Sequence, residues 1–263
     1  MKKVTAFVGS ARKQHTLACV QRFLDDVRAP GDVETEIVRL SDCRVETCRG
    51  CRRCFDDGEE HCPYAADNRD TLLEKMMASD GVVFASPVYT WQVSAITKKL
   101  LDRLGFVCHR PRFFGKVFTS LVVQGIHGGR QVVKYLDFVG FTLGFEVVRG
   151  SCLTTIDPLT EEARRKNDRI LLAHGRRFRE RLSRSLYPPP TLLKLMGFRM
   201  ARTSMRLMLD ESARDYRYYR DNGWFESDYY YPVRLGPLRR AAGRLFDLGA
   251  ARSARHGVVG LGW

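Results

Sequence analysis

This sequence predicts a doubly wound α/β fold with a five-stranded parallel sheet in the order 2-1-3-4-5. Three observations predict it. Short apolar runs alternate with helical patterns through the first 160 residues. Strands and helices alternating at that rhythm form a parallel sheet covered on both faces. The loops rich in Gly, Ser and Pro follow the first, third and fourth strands, on the carboxyl edge where open sheets of this kind bind ligands.

The first strand covers residues 4–8 and stops at Gly9 and Ser10. Residues 16–28 carry Leu17, Val20, Phe23, Leu24 and Val27 at the spacing of one helical face. Val33, Thr35 and Ile37 alternate along a second strand at 33–40, and a cysteine-bearing segment fills 41–68. Leu72, Leu73, Met76 and Met77 mark a helix that ends before Asp80 and Gly81. Val82, Val83, Phe84 and Ala85 form a buried third strand, followed by a helix at 94–104. A fourth strand at 117–123, a helix at 130–142 and a last strand at 145–148 complete the sheet. Residues 160–182 read as a covering helix rich in Arg and Glu.

Pro188, Pro189 and Pro190 then break the chain as a rigid spacer. Beyond them lie a helical pattern at 191–208, an aromatic stretch at 216–231 and a second helical pattern at 237–248. The expected division is a domain at 1–182, with the cysteine-rich insertion at 41–68, and a basic, aromatic-rich helical extension at 183–263.

Composition removes several classes. Hydrophobic residues at 44% and charged residues at 28% argue against wholesale disorder. No uncharged stretch reaches the roughly 18–20 apolar residues of a membrane-spanning helix. The apolar run after Met1, Lys2 and Lys3 breaks at Gly9 and Ser10, too soon for a secretory leader. A soluble, cytoplasmic protein is expected. Charge is uneven. Residues 1–159 hold 22 Lys and Arg against 19 Asp and Glu, a net of +3, whereas 160–263 hold 22 against 11, a net of +11. A basic half either attracts anionic partners or is a solvated surface. No nucleic-acid module is recognisable, so nucleic acid is not an expected partner.

The loop after strand one reads Gly9-Ser10-Ala11-Arg12-Lys13-Gln14-His15-Thr16 and runs into a helix. Gly9 permits a tight turn, Ser10 and Thr16 supply hydroxyls, and Arg12 and Lys13 supply charge beside the open N–H groups of a helix start. It lacks the fingerprints of a nucleotide triphosphatase and of a dinucleotide-binding domain. Such a loop suits one phosphate monoester, and a plain helix N-cap explains it equally well. After strand three come Pro87, Val88, Tyr89, Thr90, Trp91 and Gln92. Their aromatics offer flat surfaces for a tricyclic ring, or serve as core or interface residues. After strand four, Gly125, His127, Gly128 and Gly129 form a loop that a flat ligand can approach closely, with His127 either a proton donor or a structural histidine.

Gly9-Ser10-x-Arg12-Lys13 with Thr16, then Ser86-Pro87-Val88-Tyr89 leading into Lys98-x-x-x-Asp102-Arg103, resembles the NAD(P)H-dependent FMN reductase branch of the flavodoxin-like superfamily over roughly residues 1–160. The resemblance implies that Ser10, Arg12 and Thr16, with Lys13 at the rim, hold the FMN phosphate. It also implies that residues 87–92 frame the isoalloxazine and that residues 125–129 close its other side.

Cys48, Cys51, Cys54 and Cys62 are spaced C-x2-C-x2-C-x7-C, with Pro63 after the last. Such a cluster points to metal or redox use in a reducing compartment. Ferredoxin ligands use the same C-x2-C-x2-C unit. A structural zinc site more often presents two separate C-x2-C knuckles. Iron–sulfur, zinc and unligated redox thiols all stay open on spacing alone. The pattern is similar to that of the iron–sulfur flavoproteins, which implies that these four cysteines ligate a 4Fe-4S cluster. Arg49, Arg52 and Arg53 favour its reduced state, and Asp56, Asp57, Glu59 and Glu60 oppose them.

In the extension, Leu192, Leu193, Leu195, Met196, Met200, Leu207 and Met208 interleave with Lys194, Arg199, Arg202 and Arg206 as a basic amphipathic helix. Such a helix can lie on an anionic membrane. Packing on its own domain or across a dimer is the expectation. Tyr216, Tyr218, Tyr219, Trp224, Phe225, Tyr229, Tyr230 and Tyr231 are expected as a clamp over the flavin edge or an oligomer contact.

The function expected is an FMN-dependent oxidoreductase, working as a homo-oligomer. Electrons pass between NAD(P)H or a small electron carrier (a small molecule or a small redox protein), FMN and the cluster. Flavin chemistry needs no acid–base dyad, so no catalytic residue is singled out. The alternatives are a cluster-free quinone or flavin reductase and a zinc-bearing, non-enzymatic interaction protein.

Overall fold

The computed structural model describes residues 1–29, 31–184 and 187–255. Its strands are β1 (Lys2–Val8), β2 (Val33–Arg39), β3 (Gly81–Tyr89), β4 (Gln92–Val93), β5 (Val117–Gln124), β6 (Glu146–Val147) and β7 (Ser151–Thr154). Its helices are α1 (His15–Arg28), α2 (Arg53–Asp56), α3 (Arg69–Met77), α4 (Ala95–Arg103), α5 (Gly105–His109), α6 (Gly129–Thr142), α7 (Glu161–Leu182), α8 (Leu192–Met208), α9 (Arg214–Asp221) and α10 (Pro237–Arg255). Two compact units result. One joins Met1–Gly50 to Tyr64–Leu186, and the other joins Cys51–Pro63 to Tyr187–Trp263.

In the first unit the sheet runs β2-β1-β3-β5-β6, all parallel, the predicted topology. Two short strands add to the five expected. β4 folds back antiparallel on β3, and β7 pairs with β5 beyond the point where β6 leaves it. The fifth strand is therefore broken, and the break has a cause. A Cβ on Gly150 would lie 2.0 Å from Ser120 Oγ, so the chain passes β5 too closely for any side chain. The Asp137 carboxylate pins that bend by accepting from the Gly150 N–H and from Ser120 Oγ, each at 3.2 Å. Burial outweighs those bonds and raises the Asp137 pKa above the usual carboxylate value.

Both faces of the sheet are buried, as parallel strands require. On one face Val4, Ala6, Val8, Val83, Ala85 and Leu121 pack with Val20, Phe23 and Leu24 of α1 and with Leu171 and Phe178 of α7. On the other, Phe7, Phe84, Phe118 and Phe145 form a ladder with ring centroids 5.4–5.6 Å apart. Gly140 lets α6 close on that ladder, since a Cβ there would sit 2.4 Å from the Phe118 ring. α7 starts under Thr160, whose hydroxyl accepts from the Ala163 N–H at 3.2 Å.

The second unit is built on α8, α9 and α10. Arg199, nearly buried, bonds Asp247 at 3.0 Å and also pairs with Asp228; Arg202 and Thr203 reach the same Asp247 at 2.7 and 2.9 Å. Tyr219, Trp224, Phe225 and Tyr229 are buried, and Trp224 packs edge-on against Tyr219 and Tyr230. These buried rings form the hydrophobic centre of this unit. α8 packs within the same unit, but through Leu195, Phe198, Arg199, Ser204 and Met205, whereas Leu192, Leu193 and Leu207 of the expected apolar face are exposed. Among the described residues no helix is long and apolar enough to cross a membrane.

Candidate functional site

The loop after β1 starts with a close approach that only glycine permits. A Cβ on Gly9 would fall 1.8 Å from Thr97 Oγ1. In the space this leaves, Ser94 Oγ donates to the Gly9 carbonyl at 2.5 Å and lies 3.0 Å from Thr97 Oγ1. Ser94 also caps α4, its hydroxyl accepting from the Thr97 N–H. One buried knot thus fastens the loop after β1 to the loop after β3. Within the first loop Ser10 is buried and donates to the Arg12 carbonyl at 3.2 Å, and Thr16 is buried in the first turn of α1. Arg12 and Lys13 are exposed. No side chain caps the start of α1 and no acidic residue stands in its first turn, so its leading N–H groups and dipole are left available to an anion. Arg39, which the sequence did not single out, braces the loop by donating to the Ala11 carbonyl at 3.0 Å.

The loop after β3 is a two-residue hairpin. Tyr89 pairs with Gln92, and the turn residues Thr90 and Trp91 have φ of 47° and 57°. Tight hairpin turns demand positive φ, and side chains other than Gly or Asn adopt it under strain. Tyr89 and Trp91 stand outward, 49% and 58% exposed, while Pro87 stays buried beneath. Val88 is half-buried, and Gln92 accepts from the Val93 N–H through Oε1 at 2.9 Å.

The loop after β5 meets that hairpin. Gly128 has φ of 97°, and a Cβ on it would lie 2.7 Å from Trp91 Cδ1. The His127 ring stands edge-on to Trp91 with centroids 5.9 Å apart. Gln124 shapes this loop: its Oε1 accepts from the Gly129 N–H at 2.8 Å, and its Nε2 donates to the Ile126 carbonyl and to Thr154 Oγ1. Gly125, Ile126 and His127 are left exposed above it. Gln124 was also missed as a site residue, since a Gln at a strand end carries no pattern of its own.

The predicted residues of all three loops therefore gather at one carboxyl edge. Of the helix positions that followed them, Lys98 pairs with Asp102 on the surface of α4, which raises the Lys98 pKa. Arg103 turns inward to Asp67 at 3.2 Å, both side chains 2% exposed. Asp67 in turn accepts from the Glu46 and Arg69 N–H groups at 2.9 Å, and Asn68 exchanges bonds with Arg44. The two ends of the cysteine segment are stapled together there.

The cysteines are less gathered. Cys48 belongs to the first unit and accepts from the Gly50 N–H at 3.4 Å, whereas Cys51, Cys54 and Cys62 belong to the second. Cys48 and Cys51 are exposed, Cys54 and Cys62 half-buried. Among the described residues no three His, Cys, Asp or Glu side chains come together as metal ligands. Within the second unit, α9 touches the segment 51–63 through Arg214 to Glu59 at 3.8 Å and Arg217 to the Asp57 carbonyl at 3.3 Å.

The family model described as NADPH-dependent FMN reductase matches residues 2–155. The chain belongs to that family. Two proteins called iron-sulfur flavoprotein, both from Archaeoglobus fulgidus, are similar to this FMN reductase family member. One is 29% identical over 143 residues, covering 54% of this chain and 69% of the relative. The other is 32% identical over 159 residues, covering 56% and 70%. A solved structure titled flavone reductase superposes with a TM-score of 0.54 at 18% identity, covering 71% of this chain and 66% of the other, and shares the fold. The protein is thus a flavin oxidoreductase of the flavodoxin-like superfamily, and FMN is the cofactor of its family. The uncapped start of α1, the basic rim and the exposed aromatic platform fit a phosphorylated flat ligand. The thiol set, four cysteines in a C-x2-C-x2-C-x7-C spacing, suits iron by its chemistry.

Proposed function

We propose that FMN binds across this edge, its phosphate at Ser10, Arg12, Lys13 and Thr16 and its ring system between residues 87–92 and residues 125–129. The observation that carries the reading is the convergence of three loops through the Gly9–Thr97 and Gly128–Trp91 contacts, beside a helix start with no cap of its own. FMN supplies the link between two-electron hydride chemistry and one-electron transfer. The chain supplies the rest. Helix N–H groups and the Arg12 and Lys13 charges neutralise the phosphate. Tyr89 and Trp91 cover the flat ligand and exclude water, and His127 stands beside Trp91 as a hydrogen-bond donor to its edge. The electron donor is a reduced nicotinamide or a small carrier, and the setting is a reducing cytoplasm.

The proposal extends to a 4Fe-4S cluster on Cys48, Cys51, Cys54 and Cys62. Their spacing supports it, as do the names of the relatives that align with this chain. That no three ligand side chains are gathered among the described residues favours a second reading, a cluster-free flavin reductase. Absorption spectra with iron and sulfide assays on anaerobically purified protein separate the two. Flavin bands with a broad shoulder and about four irons per chain support the cluster, and flavin without iron selects the second reading. Cys51→Ser is expected to lose the iron and keep the flavin. Iron retained in that variant removes Cys51 from the ligand set. A protein that takes up no FMN even on reconstitution ends the proposal.

Gln124→Leu tests the ring end of the site. With the Gly129 N–H and the Ile126 carbonyl unbraced, FMN affinity is expected to fall about tenfold, the effect of roughly 1.4 kcal/mol of lost positioning. Flavin fluorescence titration reads it, and unchanged affinity would show that the loop holds its shape without Gln124.

A further inference from the structure

α10 has one face that the second unit uses and one that it does not. Gly243 and Ala250 are buried, and Asp247, the one acidic residue in the helix, is bonded by Arg199, Arg202 and Thr203. On the other side Leu238, Leu245 and Leu248 are 86%, 67% and 62% exposed. Spacings of seven and three residues set these leucines along one stripe. Arg244, Arg252 and Arg255 are exposed along and beside it. With Asp247 committed inward, the outer surface of α10 is apolar and cationic with no acidic group of its own.

Charge decides among the occupants of such a face. A second copy would set arginine against arginine. A nucleic acid would satisfy the arginines and leave the leucines in water. An anionic lipid surface satisfies both, because leucines enter the boundary between headgroups and acyl chains while arginine stems follow them and leave the guanidinium at the phosphates. We propose that the outer face of α10 docks this protein on anionic membranes. The helix lies in the interface plane and does not span, in keeping with the absence of any crossing helix among the described residues. Residues 187–263 hold 13 Lys and Arg against 7 Asp and Glu, a net of +6 that adds long-range attraction to the membrane.

The test is co-sedimentation of the full chain with vesicles of phosphatidylglycerol and phosphatidylcholine, against phosphatidylcholine alone. Association with the anionic vesicles is expected to exceed the neutral control by about tenfold or more and to vanish at high salt. Leu238→Asn, Leu245→Asn and Leu248→Asn combined are expected to abolish it at unchanged net charge and unchanged FMN content. Arg244→Gln with Arg252→Gln should weaken it without altering the fold, as read by far-ultraviolet circular dichroism. Equal binding to both vesicle types overturns the proposal, as does a triple-leucine variant that binds like the parent. A parent dimer that the leucine variant converts to monomer, with no preference for anionic vesicles, would make the face a self-interface and overturn it too.

Discussion

Gly9→Ala is expected to cost about 2–3 kcal/mol, the range of a forced overpacking in a closed core. The added Cβ would lie 1.8 Å from Thr97 Oγ1 and 3.1 Å from both Thr97 Cβ and Ser94 Oγ. None of these atoms has room to retreat. Thr97 and Ser94 are 2% exposed, and their oxygens hold each other and the Gly9 carbonyl. Gly9 cannot retreat either, because its N–H donates to the Ala85 carbonyl at 2.8 Å on the neighbouring strand. In a domain of this size the loss appears as a fall in Tm of about 5–10 °C. Thr97→Ala removes the oxygen nearest the clash, so the double variant should recover a good part of the loss, a coupling that independent sites do not show. A Gly9→Ala protein that melts with the parent would mean that the two loops are not fastened there.

That knot illustrates what the sequence disclosed and what it withheld. A glycine at the end of an apolar run announces a turn, so Gly9 and its loop were legible, and so was Ser94 as the start of a helix. The demand for glycine comes from Thr97, 88 positions away, and no local pattern encodes it. The topology was legible because parallel strands buried on both faces read as apolar runs. β7 was not, since Ser151, Cys152, Leu153 and Thr154 offer one large apolar side chain and pair only after a bend fixed by Asp137 and Gly150. The hydroxyls and charges of the first loop were read from residue type. Gln124, Arg39 and Asp67 act by bonding backbone groups brought in from elsewhere, and such bonds leave no periodicity. In the extension the aromatic stretch was visible as density alone, and its burial depends on α8 and α9 closing over it.

Acid is expected to destabilise the first unit through His174, by roughly 4–5 kcal/mol in full between pH 6.5 and 3. The imidazole is fully buried between α7 and β5, with its ring 5.0 Å from Phe23. Thr119 donates its hydroxyl proton to the Val148 carbonyl at 2.8 Å, so the 2.6 Å contact with His174 must run from Nε2–H to Thr119 Oγ1. Nδ1 is then the atom left to take a second proton, and it is buried without a hydrogen-bond partner. Burial first, and the Arg177 charge second, push the pKa down from 6.5 to about 3. The folded state thus keeps the ring neutral where the unfolded chain binds a proton. The stability is whole above pH 6.5 and drains as pH falls toward 3. His174→Phe keeps a ring against Phe23 and forfeits the Thr119 bond, so it should start about 1 kcal/mol less stable at pH 8. Its acid limb should be flatter, with the gap closing and reversing as about 2–3 kcal/mol of the parent's stability is lost by pH 4.5. The carboxylates of Glu36 and Asp80, whose pKa values are lowered, titrate alike in both proteins, so the difference between the two denaturation curves isolates the histidine. Parallel loss of stability in parent and variant from pH 7 to 4.5 would show that the buried ring takes its proton without unfolding the chain.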